Sequence, residues 1–557
     1  MSVATASVSV ARGAGRTVDR LLEHPRVVVS ALAATQVLAT LALALTVEHN
    51  GWVWFQGGDQ IENLTTGWLF GQLDLPPTIV SYLWPLVLAP LTWVAGPTFL
   101  QVLPPLVLLQ VLVLGPIALF CVYAIATRIG GRLLGYWAAL LWVVAPFAAI
   151  PLFTDRYHEK WTEQFVPQAL GLTAMPDFPS MVLLLVAALL VVRAVSEGHL
   201  GDAALAGVLA GAAGGLKPPN YLFLVGAVLA FGVARRWREG VVFSVLVVPS
   251  VLVLVLWKYR GLGEVPALTL EQARVAAGAG IPSVNVDRYL ELDLDHWRGQ
   301  MNELREYFWS PRVAQWAPFA GLLAVLRVRK GAIAALLAGW LAAFIVIKGF
   351  SPRASIETNT FWRLLMPAWP AYLLLFASIP LLVPTLARRL GERLSPPASS
   401  PVRLRWALVA LVLSTAVPAA ATAASSKLEP PDPPAVVQFF EEAATILTPV
   451  DESIELRVER SVDGNRLSWS APSWRARVFY RVYRAESAES DLLCTTDRNL
   501  VWNCFVQGTV LATTRESEFV DPSPTPGAVY RIGVGTNWAD DPAQGDIFAF
   551  SPPASAP

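Results

Sequence analysis

The chain carries a succession of apolar segments, the first from about Val27 to Val47, each close to the roughly 20 residues that a helix needs to cross a bilayer. No other feature constrains the fold as strongly. In lipid every backbone polar group must find its partner inside the protein, and a helix meets that demand within its own segment. Further segments follow at about 102–127, 134–152, 177–195, 202–217, 218–234, 240–257, 313–326, 331–347, 367–385 and 405–424, so the pattern predicts a polytopic α-helical membrane protein with about 11 transmembrane helices. Composition agrees, since 54% hydrophobic and 15% charged residues in 557 are far from a soluble average. With 42 basic against 42 acidic residues the net charge is zero, and no global field favours nucleic acid.

Charge placement sets the expected sidedness. Arg12, Arg16, Arg20 and Arg26 precede the first segment, which reads as an uncleaved helix with the N-terminal segment 1–26 in the cytoplasm. The stretch 79–95 is also apolar, but it is short and holds Pro85 and Pro90. Parity excludes it as a crossing. Only then do the turns with Arg128 and Arg132, with Arg235, Arg236 and Arg238, with Arg327, Arg329 and Lys330, and with Arg388, Arg389 and Arg393 all face the cytoplasm. The membrane domain, 27–424, is thus expected in the plasma (inner) membrane, with loops 48–78, 153–176, 258–312 and 348–366 outside. A proline-stiffened linker, 425–449, and everything after it share that side.

Beyond the linker the periodicity changes to two. Alternating runs in IELRVERSVDGNRLSWSAP, ARVFYRVYRAE and AVYRIGVGTNW predict an all-β sandwich. Residues about 450–552 resemble a fibronectin type III domain, on Trp469 in LSWSAP, Tyr483 in YRVYRAE and Tyr530 in FVDPSPTPGAVYRIGV. Cys494 and Cys504 in this part are a candidate disulfide, which requires an oxidising compartment. Cys121 lies in an apolar span and reads as packing.

Soluble-enzyme signatures are absent: there is no phosphate-binding Gly-rich loop, CxxC, HExxH or GxSxG. Chemistry therefore belongs to the outer loops. The first reads GWVWFQGGDQIENLTTGWLFGQLDLPP and holds Asp59 and Glu62 among tryptophans and glycines. A carboxylate at the water edge suits a general base or a cation ligand, and the bland alternative is a solvated loop acid. The second loop offers Asp155, His158 and Glu159, candidates for acceptor or metal contact beside a plain loop-surface reading. Asp177 opens the next helix, where capping is the competing explanation. Lys217 in GGLKPPNYLF is explained equally by snorkelling, and Arg363 in NTFWRLLMPAWPAYLLL stands where a guanidinium grips a lipid phosphate.

Together these residues resemble the GT-C superfamily of integral membrane glycosyltransferases, in its protein mannosyltransferase and aminoarabinose transferase branch. The likeness is carried by GGDQ with Asp59, GWLFGQLDLPPTIVSYLWPL, PDFPSMVLLL with Asp177, GLKPPN with Lys217 and FWRLLMPAWPAYLLL with Arg363, across about 27–385. It implies a polyprenyl-phosphate sugar donor, an extracytoplasmic acceptor, no nucleotide cofactor, Asp59 and Asp177 as catalytic acids, and Lys217 and Arg363 on the donor phosphate. Gln60 follows Asp59 where some relatives have a second acid, so a divalent metal there has one ligand fewer and is left open. The main rival is a transporter or flippase for a lipid-linked substrate. It predicts repeated halves and ionisable residues near the bilayer middle. A membrane-anchored scaffold is a third reading, for which this many helices are excessive.

Overall fold

The structure, a computed structural model, describes residues 23–46, 58–75, 80–95, 99–148, 165–262, 293–303, 312–349, 365–385, 400–427, 452–470, 478–486, 492–496, 502–506, 508–536 and 546–555. The membrane part begins with α1 (Pro25–Thr46), α2 (Gly58–Gly71), α3 (Leu83–Ala95) and α4 (Phe99–Leu109), which runs through a π turn (Gln110–Leu114) into α5 (Gly115–Gly130). It continues with α6 (Arg132–Ala148), α7 (Val166–Ala169), α8 (Asp177–Glu197) and α9 (Leu200–Leu216), then a 3-10 turn (Pro218–Leu222), α10 (Phe223–Val233) and α11 (Trp237–Leu262). The last helices are α12 (Leu294–Glu303), α13 (Arg312–Arg327), α14 (Gly331–Gly349), α15 (Trp369–Ser378) and α16 (Leu404–Leu411), the last leading through a second π turn (Val412–Ala416) to α17 (Val417–Ala424).

Five described helical stretches, Pro25–Leu45, Val102–Gly130, Asp177–Glu197, Trp237–Gly261 and Leu404–Ala424, are long and apolar enough to cross a membrane, and six shorter apolar ones accompany them. The chain is a multi-pass membrane protein. The helix α3 has 13 residues, about 20 Å at 1.5 Å per residue, against about 30 Å of hydrocarbon. It pairs instead with α2 as a short helical hairpin.

The axis of the bundle is α8. Of its apolar stretch 83% is buried, against 11% for α1 and 22% for the Leu404–Ala424 stretch, which present their sides to lipid. Its neighbour α9 is built from alanine and glycine, and a Cβ on Gly207 would stand 2.3 Å from the Phe243 carbonyl oxygen of α11. Small residues let these backbones close on one another, as membrane helix packing requires.

Contacts sort the helix ends into two sets. At one end Gln60 reaches Ala174, Ser81 Oγ donates to Gly215 O (2.5 Å), and Trp257 Nε1 and Lys258 Nζ donate to Val80 O (3.0 and 2.9 Å). There too β1 (Asp74–Leu75) pairs in parallel with β2 (Ser426–Lys427), and Arg260 donates to Ser425 O. The chain thus leaves its last membrane helix at the end where α2 lies. At the other end Asp202 is fully buried and accepts both guanidinium arms of Arg193 (3.0 and 3.1 Å) and the Val402 amide (3.0 Å), with His199 Nδ1 at 3.3 Å. Two cationic turns lie after helices here, Arg235 and Arg329 adopting the left-handed conformation (φ 55° and 59°) usually given to glycine.

The C-terminal part is two antiparallel sheets. One has the order β3 (Leu456–Ser461), β4 (Gly464–Trp469), β9 (Glu518–Asp521). The other has the order β11 (Asp546–Phe550), β10 (Val529–Thr536), β5 (Val478–Ala485), β8 (Thr509–Thr514), with β12 (Ala554–Ser555) on β10. Trp469 of one packs edge-on against Tyr480 of the other at 5.4 Å, and Tyr530 is fully buried with them. A separate hairpin, β6 (Leu492–Thr496) and β7 (Trp502–Val506), sets Cys494 opposite Cys504 in register. The side chains of those two cysteines lie outside the described residues.

Tyr530 Oη donates to Asp521 Oδ2 (2.8 Å), and Arg484 donates to the same carboxylate at 2.9 Å. Burial alone pushes the Asp521 carboxyl up, but the Tyr530 and Arg484 hydrogen bonds outweigh it and hold it below the usual range. A folded-state pKa below the unfolded value of about 3.9 makes this bond set stabilising above that pH and progressively lost as pH falls towards the folded pKa. Protection of β10 amides in the intact chain, corrected for intrinsic exchange, is expected to drop between pH 5 and pH 3. In Asp521→Asn the drop should be smaller.

Candidate active site

The end of the bundle that holds α2 also holds the start of α8, and the sequence builds this site around a segment with no regular structure. Residues 170–176 follow the single turn of α7, and every residue from Phe165 to Asp177 is buried. Irregular backbone buried at a membrane end needs side-chain partners. Three helices supply them. Gln60 of α2 accepts the Ala174 amide through Oε1 (2.6 Å), Gln110 of the first π turn donates Nε2 to Thr173 O (2.7 Å), and Trp84 of α3 donates Nε1 to Ala174 O (2.8 Å). The Thr173 carbonyl and the Ala174 amide belong to one peptide unit, so the two glutamines grip it from both sides. Gly171, at φ 74°, makes the turn where a Cβ would meet Phe178 at 2.9 Å.

This clamp delivers Asp177, fully buried, to the first turn of α8. Its Oδ1 is ion-paired with Lys217 Nζ, and its Oδ2 is buried with no hydrogen-bond partner among the described residues. Lys217 is placed by its own local sequence. A Cβ on Gly214 would meet the Tyr221 ring at 2.3 Å and one on Gly215 the Tyr82 hydroxyl at 2.5 Å, so only glycine fits before the turn. Lys217 then leaves the helix in extended conformation (φ −149°, ψ 107°), and Pro218 and Pro219 keep α9 from continuing. Asn220 Nδ2 closes the turn on Ala213 O (2.9 Å). Below it Tyr82 and Tyr221 share Ser250 Oγ (2.8 and 3.1 Å).

The structure therefore brings Asp177 and Lys217 into direct contact, which the sequence reading kept apart as a carboxylate and a phosphate ligand. The signal for the pair was present. In an antiparallel hairpin centred near residue 197, positions about equally far from the centre meet, and 177 and 217 are such positions, as are the observed partners Arg193 and Asp202. Gln60, Gln110 and Trp84 were missed as site builders. A lone glutamine in an apolar span is such a signal, since polar residues there are costly. Asp59 is the second residue of α2, one position before the clamping Gln60, and an acid in a first turn is favoured by the helix dipole. The side chains of Asp59 and Glu62 lie outside the described residues, as do Asp155, His158, Glu159 and Arg363.

Among the described residues no group of three His, Cys, Asp or Glu converges. Asp177 supplies one uncommitted oxygen, with a cation already on the other, which does not by itself fit a divalent metal. Gln60→Leu is expected to leave the Ala174 amide buried and unpaired and to lower stability by about 1–3 kcal/mol. Thermal unfolding of the full-length protein checks this, with the exposed Gln72→Leu as a control that should not shift.

No protein-family model matches the sequence, and no curated protein matches it. Among solved structures, the apo oligosaccharyltransferase of Archaeoglobus fulgidus is similar at 12% identity and a TM-score of 0.39. The oligosaccharyltransferase AglB of the same organism, in complex with an inhibitory peptide and a dolichol-phosphate, is similar at 13% and 0.38. Each likeness covers 74% of this chain and 57% of the neighbour's, so the chain spans little more than half the length of those proteins. At such scores it fixes neither substrate nor partner.

Proposed function

We propose that this protein is a membrane glycosyltransferase that moves a sugar from a polyprenyl-phosphate donor to an extracytoplasmic acceptor. One observation carries the reading: a buried carboxylate, Asp177, with one oxygen unpartnered among the described residues, held against a lysine and locked by Gln60 to the helix whose second residue is Asp59. In the transfer, the acceptor oxygen forms its bond to the anomeric carbon as the bond from that carbon to the phosphate oxygen breaks. Asp59 takes the acceptor proton, and Asp177 Oδ2 accepts a hydrogen bond that orients the acceptor. Lys217 and Arg363 balance the charge growing on the leaving phosphate. Should a divalent cation take part, Asp59, Glu62, Asp155, His158 and Glu159 are the residues that would hold it.

The transporter reading expects ionisable side chains at mid-bilayer. Among the described residues of the membrane part, the buried charged ones, Asp177, Asp202, Glu239 and Lys258, all lie within five residues of a helix end. That distribution favours chemistry at a membrane face over passage through the middle. Transfer of radiolabel from a polyprenyl-phosphate sugar to membrane acceptors, by purified full-length protein in nanodiscs, tests the proposal. Donor that is bound and flipped but never transferred would replace it with the transporter.

About 11 crossings, a cytoplasmic N-terminus and an outer β domain of fibronectin type III kind complete the proposed arrangement. The acidic end of the bundle and the exit of the chain from α17 then face the outside together. In that compartment Cys494 and Cys504 are expected to form a disulfide, since residues directly opposite in an antiparallel pair have Cα atoms about 4.5–5.5 Å apart, within the range a disulfide spans. Intact mass under non-reducing conditions checks it. Two free thiols in folded protein would exclude the bond.

A further inference from the structure

The opposite end of the bundle holds a feature that sugar transfer does not use. A cavity of about 310 Å³ opens between α9, α11 and α16, lined by Ala204, Leu246, Leu404, Ala407, Leu408 and Leu411, with Arg405 as its one charged lining residue. Its shape is set by tight contacts beside it. A Cβ on Gly201 would stand 1.9 Å from Val402 O, the Val402 amide is held by Asp202 at 3.0 Å, and Arg193 donates to Ser400 O at 2.6 Å. The start of α16 is thereby fixed against α9, and the small side chains of Ala204 and Ala407 leave the space beyond.

Arg405 is in the first turn of α16, where a cation opposes the helix dipole. Its guanidinium lies 5.2 Å over the ring of Trp406, and among the described residues no carboxylate pairs with it or with Arg403. Leu404 and Leu408 are exposed at 62% and 61%, so the cavity opens toward lipid. An apolar slot running along membrane helices from an arginine that no described carboxylate neutralises matches one chemistry, an acyl chain carrying an anionic head group. Basic pockets between membrane helices on the cytoplasmic side bind anionic lipids in this way.

We infer that this groove is a binding site for one anionic glycerophospholipid, its phosphate on Arg405 and an acyl chain along Ala204, Leu246 and Leu408. The test uses full-length protein in nanodiscs of phosphatidylcholine with a minor share of phosphatidylglycerol, and native mass spectrometry of the lipids retained on release. Wild type is expected to keep one phosphatidylglycerol in preference to phosphatidylcholine. Arg405→Gln should lower its occupancy roughly tenfold, the scale of one lost charge-assisted hydrogen bond. Ala407→Trp, which fills the slot and keeps the charge, should lower it similarly. Sugar transfer is not the readout, so the outcome is independent of the function proposed above. Equal retention of both lipids by wild type, or undiminished phosphatidylglycerol in both variants, would overturn the site.

Discussion

Asp59→Asn is expected to slow sugar transfer by roughly 100-fold or more while leaving expression and donor binding near wild type, the scale of losing a general base. The substitution keeps size and removes charge. Asp59 stands in the first turn of α2, next to the residue whose side chain is docked 2.6 Å from the Ala174 amide, three positions before Asp177. One short rigid link therefore joins the two acids, and a shift in either moves the other. The clamp itself does not need the Asp59 charge, since its acceptor is the amide oxygen of Gln60. Transfer rates of wild type and variant at saturating donor measure the effect. Near-normal turnover would remove Asp59 from the chemistry and leave Asp155, His158 or Glu159 as the next candidates.

Lys217→Ala is expected to destabilise the membrane part by about 3–5 kcal/mol, because it leaves the Asp177 carboxylate buried with neither oxygen partnered. Asp177→Asn with Lys217→Met removes both charges and should recover most of that loss, while transfer stays impaired. This separates the structural work of the pair from its chemical work. Thermal unfolding of Asp177→Asn, Lys217→Met and the double variant in one detergent, read with wild type as a double-mutant cycle, gives the coupling directly. A Lys217→Ala protein as stable as wild type would mean that the pair is not formed.

The helices were legible because lipid forces a long apolar run for each crossing, and the two-residue period after the linker revealed the β sheets for a similar reason. Short elements were harder. The run 79–95 reads as a failed crossing, and it proves to be half of a hairpin whose other half, α2, is hidden in a polar loop by Asp59, Gln60, Glu62 and Asn63. Asp177 and Lys217 were visible as charges at helix ends, yet each had a bland local explanation. What joins them is the register of α8 against α9, a property of two helices together. Gln60 was read by what it lacks, a second acid. Its actual partner is a backbone amide more than a hundred positions away, which no local pattern announces.

Imaging of the protein in nanodiscs with a bound, non-transferable polyprenyl-phosphate sugar tests the account most directly. It predicts phosphate and sugar density at the end of the bundle where Asp177 meets Lys217 and where α2 begins. Donor density at the opposite end, beside Arg193 and Asp202, under conditions that support transfer, would contradict it.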